Sequence, residues 1–440
     1  MTLQRIGPWL VVVFLWVELG RIQDMIPGLK YMKPGLLIQF ALFLLVLANL
    51  HRLRINQPVL AWRFGFLLSI IPGLFLGYGT GRVRMIFQFE IERFLSGFMG
   101  ILLLIRSLAD LRRVHTALLY LALVLSVWTI AHGGHGPGLL GDENDIALFL
   151  VMLLPFAYMK STLETKPLMK AFCLLVFLLT LMGIATTVSR GGMVGALPTL
   201  GFIWLKSKKK TLSLVLFAIG IGLTVAFGPE KLVSEFKTIG DTQESTASSR
   251  LFFWGLSWEL FKLHPFFGVG AECWGNAIWA NIQSGAIPIA RKIGNMTPHS
   301  VYFQLIAEMG ILGTVMWTGF LAAFAGTLYR LRGTRLDSQL AGIIGNRPDP
   351  AVMPHALELL NQVKAACISL AICLLGFMLA GAFLSVLFYP MIYIFGALAQ
   401  ATKNVWDQEL IILNLTKGKA APPAAGNAPV APAAPAPAPA

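Results

Sequence analysis

Charge is what this chain most lacks. Only 13% of its 440 residues are Asp, Glu, Lys or Arg, while 56% are hydrophobic and the mean hydropathy is +0.71. Soluble domains carry about 25% charged residues, so the composition excludes a soluble enzyme and leaves an integral membrane protein. Cysteine is scarce as well. Cys173, Cys273, Cys367 and Cys373 are the four, three of them within apolar runs, and none makes a metal-ligand spacing. Neither a disulfide framework nor a zinc site is indicated. The alternation of apolar and polar residues that a barrel needs is missing, and separate apolar runs select a helical bundle. No internal repeat is evident. The net charge of +14 invites a nucleic-acid reading. The basic residues sit in short loops between apolar runs and form no continuous patch, so no nucleic-acid partner is expected.

What is there is a series of about twelve apolar runs, near 6–19, 35–50, 59–78, 93–105, 116–131, 145–159, 170–187, 191–205, 211–228, 300–326, 362–386 and 388–402. The last two could be one helix broken at Pro390. Residues 6–19 lack a small-x-small cleavage site and are followed by further runs, so they read as a first span rather than a signal peptide. The expected fold is all-α, a polytopic transmembrane bundle of about 12 spans. One large periplasmic loop contains interfacial helices. The expected division is 1–228 for nine N-terminal spans, 229–298 for the loop, 299–402 for the C-terminal spans and 403–440 for a cytoplasmic Ala/Pro-rich disordered tail. With the N-terminus inside, 22 of the 35 Lys and Arg fall on the cytoplasmic side, anchored by KSKKK at 206–210. That bias fits the positive-inside rule. It puts HGGHGPGLLGDEND (132–145), the SRGG corner (189–192), the long loop and His299 on the outer face.

Several residues there have chemistry to offer. Arg190 is followed by Gly191 and Gly192, where a helix starts. It is either a boundary anchor or, with the backbone N–H groups beside it, a phosphate ligand. Arg250 opens an apolar helix in TASSRLFFWGLSWELFKL, for which Ser245, Thr246, Ser248 and Ser249 offer caps. The density of apolar residues suits an interfacial helix, with Trp254, Trp258, Trp274 and Trp279 as interface anchors. Pro298 suits a helix start and places His299 in the first turn, as a hydrogen-bonded boundary residue or a general base. Tyr302 is one turn on. Glu308 lies deeper and needs a partner, which Arg190 or Arg250 could supply. Gly310 and Gly313 read as close-packing positions. Asp142 and Asn144 read as an N-terminal cap or as pocket residues. His132 and His135 lack a third ligand for a metal.

Four segments, in order, resemble the O-antigen ligase and polymerase superfamily of bacterial membrane glycosyltransferases. They are GPGLLGDENDIAL (136–148), TTVSRGG (186–192), SSRLFFWG with HPFFGVG (248–255 and 264–270), and PHSVYFQLIAEMGILG (298–313). Ser300 departs from the pattern, in which asparagine is usual. The resemblance covers roughly 130–325. It implies a metal-independent enzyme of the inner membrane, without cofactor, acting at the periplasmic face in lipopolysaccharide or polysaccharide biosynthesis. Its donor would be an undecaprenyl-diphosphate-linked glycan and its acceptor a hydroxyl of lipid A–core, protein or another glycan. Carried over, Arg190 and Arg250 hold the diphosphate and His299 activates the acceptor. Asp142, Asn144, Tyr302 and Glu308 would support them. A polymerase joining repeat units shares this chemistry. A transporter would place charges at mid-membrane depth and often show paired repeats. A structural part of an envelope assembly is the remaining alternative.

Overall fold

The computed structural model describes residues 2–227, 245–288, 297–345 and 352–417. Within them the protein is all-helical, with no strand. The helices of ten or more residues are α1 (Thr2–Glu18), α2 (Pro34–Asn49), α3 (Pro58–Leu68), α4 (Thr80–Glu92), α5 (Leu108–Ala131), α6 (Glu143–Leu163), α7 (Pro167–Thr186), α8 (Arg190–Lys206), α9 (Lys210–Phe227), α10 (Ser245–Leu263), α11 (Trp274–Gln283), α12 (Val301–Arg330), α13 (Gly333–Ile344), α14 (Met353–Ala380) and α15 (Pro390–Lys417). Each of the twelve expected runs falls on a helix or a pair of short ones. Among the described residues, seven stretches are long and apolar enough to cross a membrane: Leu29–Arg52, Pro58–Leu76, α5, α6, α7, α12 and Met353–Phe383.

The centre of the bundle is α6. Its residues from Ile146 to Tyr158 are buried on every face, as expected of a helix that is apolar all round. It packs against α5, α7, α8 and α14. α14 and α15 are separate helices, because residues 384–389 leave helical geometry before Pro390. α15 also runs on past the expected end at 402. There Trp406 and Leu413 are buried, and Glu409 accepts the backbone N–H of Leu108. The expected Ala/Pro tail from Ala420 onward, and residues 229–244 and 289–296 of the expected loop, lie outside the described residues.

The spans are less free of charge than their hydropathy suggests. Arg63 of α3 and Glu90 of α4 form an ion pair, at 1% and 0% side-chain exposure. Arg93 extends it, donating to Glu18 at 2.7 Å and to Glu90 at 3.4 Å. The Arg63 guanidinium also lies 4.0 Å from the Tyr393 ring centroid. Buried charges persist only when paired in this way.

Candidate active site

The site is assembled from the N-terminal ends of α6 and α8, the start of α10 and the residues just before α12. Asp142 caps α6, its Oδ1 accepting the Asn144 backbone N–H at 2.8 Å and the Asn144 amide at 3.0 Å. Asn144 Oδ1 in turn accepts the Ser189 hydroxyl at 2.7 Å. Ser189 Oγ accepts the Gly192 N–H at 3.1 Å and so caps α8. One chain of polar contacts therefore ties the Asp-x-Asn segment to the Ser-Arg-Gly corner. Arg190 is the first residue of α8, half-buried, where N–H groups and the helix dipole favour an anion.

Arg250 reaches the same corner from α10. Its guanidinium carbon lies 5.8 Å from the Phe383 ring centroid, and a Cβ at Gly191 would lie 3.5 Å from the Phe383 Cβ. One turn along α10, Trp254 stacks on Phe303 at 5.1 Å and donates its indole N–H to the Pro298 carbonyl at 3.0 Å. That bond fixes the residue before His299. His299 itself precedes α12 rather than lying in its first turn, because α12 begins at Val301 and His299 has φ 46°. The ring keeps solvent access. Enough protein surrounds it that lost hydration, aided by the positive charge of Arg250 and opposed by Asp142, lowers its pKa below the ordinary 6.5.

Among the described residues, Glu308 does not pair with an arginine. Its carboxylate, 2% exposed, accepts the backbone N–H of Glu272 at 3.0 Å and of Trp274 at 3.4 Å, and the Gln304 amide at 3.2 Å. Gln304 also donates to Glu272 Oε1 at 3.2 Å. Burial pushes the Glu272 carboxyl above its usual range, with Gln304 and Arg82 opposing. Gly310 interrupts α12 at φ 58°, ψ −160°. The break frees backbone groups that residues 265–270 take up. Val269 and Gly270 donate to the carbonyls of Ala307 and Glu308 at 3.0 Å, and Ile311 and Leu312 donate to those of Pro265 and Phe266 at 2.8 and 3.1 Å. A Cβ at Gly268 would lie 2.3 Å from the Glu308 carbonyl carbon, and one at Gly310 2.6 Å from Phe266 backbone. The Pro–Gly-x-Gly segment and the Glu-x-Gly segment thus form one main-chain clasp. Gly313 is a close-packing position against Met309.

Tyr302 is a brace: its hydroxyl donates to the Met378 carbonyl of α14 at 2.7 Å. Trp274 is a core residue and no interface anchor, 2% exposed with its N–H on Ser257 at 2.8 Å. Trp258 and Trp279 are exposed. The caps expected at Ser245 and Thr246 fall on side chains outside the described residues. His132 stacks on Trp128 and His135 lies 3.5 Å from Glu143. No three His, Cys, Asp or Glu among the described residues are grouped to hold a metal.

Sequence reasoning missed Phe383, the Tyr389–Asp145 hydrogen bond and Glu272. It also missed the strain. Val188, Glu272 and His299 are three of the five non-glycine residues with positive φ among the described ones, and all three border this site. Such strain collects at functional sites and persists only where surroundings enforce it. Behind Tyr389 and Glu272 lies a cavity of about 220 Å³, whose lining also includes Glu18, Glu90 and Arg93.

Fold and site together define a polytopic helical membrane protein with two cations and a strained histidine at one corner. Residues 175–318 match the model of the O-antigen ligase family. The matched stretch holds Arg190, Arg250, His299 and the whole clasp, and it supports a ligase- or polymerase-like function. No curated protein matches the chain.

Proposed function

We propose that the protein transfers a glycan from undecaprenyl diphosphate to an acceptor hydroxyl, at the periplasmic face of the bacterial inner membrane. The observation that carries this reading is that Gly191, beside Arg190, and the Arg250 guanidinium both lie near Phe383, while Trp254 of the Arg250 helix holds Pro298 beside His299, inside the stretch similar to the O-antigen ligase family. The acceptor oxygen attacks the anomeric carbon of the glycan while His299 takes its proton. The bond from that carbon to the diphosphate oxygen breaks, and the lipid diphosphate departs with the bonding electrons. Arg190, Arg250 and the N–H groups opening α8 neutralise its charge. A lowered pKa keeps His299 neutral at pH 7, the state a base requires. Asp142, Asn144 and Ser189 hold the α8 corner; Tyr302, Gln304 and Glu308 hold the start of α12. The acceptor is lipid A–core, a protein or another glycan.

Replacing His299 by Ala should cut transfer about 100-fold or more, the usual worth of a general base. Arg190→Ala should lose transfer as well, with both variants accumulating in the membrane as the parent does. The assay follows lipid-linked glycan and its product in cells lacking the native chain. Full activity in His299→Ala ends the base assignment. In the deletion strain, full-length lipid-linked glycan indicates a ligase, and single lipid-linked repeat units indicate a polymerase.

A further inference from the structure

The end of α12 remote from His299 borders a second polar cavity. Past the break at Gly310, α12 runs from Ile311 to Arg330, roughly 30 Å. There Arg330, the 54–58 turn before α3 and one face of α15 enclose about 360 Å³. Arg54, Arg330 and Lys403 face this space, against the single carboxylate of Asp407. Lys403 engages Asp407 one turn along α15. Arg54 and Arg330 have no ion pair among the described residues. Two cations at one mouth repel each other and raise the local concentration of anions.

The floor is built from amides. Gln400 donates to Asn404 Oδ1 at 3.0 Å, and Gln57 reaches the same oxygen at 3.5 Å. Gln57 is only 6% exposed, and its own Oε1 is buried with no hydrogen-bond partner. Native interiors rarely leave such an oxygen unmet unless a ligand or water supplies the donor. The vacancy therefore asks for two things side by side, anionic oxygens for the guanidiniums and a donor for Gln57. Ile55 at the mouth and Trp62, Phe64 and Leu68 along α3 are exposed. Phe64 and Leu68, one turn apart, share one face of α3 as a short apolar strip, along which an acyl chain can lie.

We propose that this cavity binds a phosphate ester bearing a neighbouring hydroxyl, the chemistry of a glycerophospholipid headgroup. Arg54 and Arg330 hold the phosphate oxygens, as guanidiniums do well. The hydroxyl donates to Gln57 Oε1, and the acyl chains follow the α3 strip. The site is independent of glycan transfer and sits at the other end of the bundle.

The test is native mass spectrometry of the full chain in detergent with phosphatidylglycerol, phosphatidylmethanol and phosphatidylcholine. Phosphatidylglycerol should be retained best. Arg54→Ala and Arg330→Ala should each weaken its retention about tenfold, the loss of one charge-assisted hydrogen bond. Both side chains are exposed, so folding should be unaffected. Arg112→Ala, exposed and paired with Glu358 elsewhere, is the charge-matched control. Gln57→Leu should erase the preference for phosphatidylglycerol over phosphatidylmethanol, which carries the same charge without the hydroxyl. If sn-glycerol 3-phosphate binds with the same arginine dependence and displaces the lipid, the source is the solution and the site stands. Equal retention of phosphatidylcholine overturns the proposal. So do arginine variants no weaker than Arg112→Ala.

Discussion

Two sets of arginines divide this molecule. Arg63 and Arg93 lie among α1, α3, α4 and α15 and are closed off by Glu18, Glu90 and an aromatic wall. Arg190 opens α8 and Arg250 lies in the second turn of α10, both half-buried, with the Arg250 guanidinium 5.8 Å from the Phe383 ring centroid. Arg63 is dry, and both members of the first set are matched to carboxylates, so they clamp helices together. The second keeps a face toward water, where an anion can reach it. The same side chain serves as a brace or as a ligand according to what surrounds it.

The sharpest way to break the comparison is through stability. Arg63→Ala takes from Glu90 its closest cation, leaves the buried carboxylate only the longer contact to Arg93 and should cost about 3 kcal/mol. The double change Arg63→Met with Glu90→Leu should recover much of that, since apolar replacement of a whole pair is often tolerated. Thermal unfolding in detergent measures both. Arg250→Ala should do the opposite: transfer falls about 100-fold, as for a lost transition-state donor, while the unfolding temperature barely moves. An unfolding loss in Arg250→Ala as large as that of Arg63→Ala would erase the distinction between the two sets.

A smaller effect concerns pH. The His299 pKa lies below 6.5, and in the proposed mechanism the base form is the active one. Transfer should therefore be flat at neutral pH and fall as pH drops through that lowered pKa. In Arg250→Ala the cation that helps to lower it is gone, so the acid limb of the profile should move to higher pH. An acid limb that stays in place would show that Arg250 does not sense the His299 charge.

Much of this was legible in the sequence because hydropathy is a one-dimensional signal. The apolar runs fall on helices, and Asp142 caps α6 as its position before an apolar run suggests. What escaped depended on pairing across the bundle. Arg63 and Glu90 are 27 residues apart on different helices, and nothing in either run announces the other. A buried carboxylate such as Glu308 usually needs a cation, and residue identity alone points to an arginine. Backbone N–H groups of Glu272 and Trp274 do that work, and main-chain partners leave no trace in residue identity. His299 was placed in a helix by its preceding proline. The Pro298 carbonyl is instead held by Trp254, and the chain passes through a left-handed residue before α12 starts.

The clasp at Gly310 has a consequence for chain length. Its bonds from Val269 and Gly270 to Ala307 and Glu308 close a non-covalent ring that includes α11 and His299. Closing a ring depends only weakly on its circumference, about 0.6 kcal/mol for each doubling. Insertions between α11 and Pro298 would therefore be cheap, while the histidine stays tethered at the knot. Such a chain can lengthen or shorten the segment between α11 and Pro298 to suit a different partner without re-engineering the corner where His299 sits.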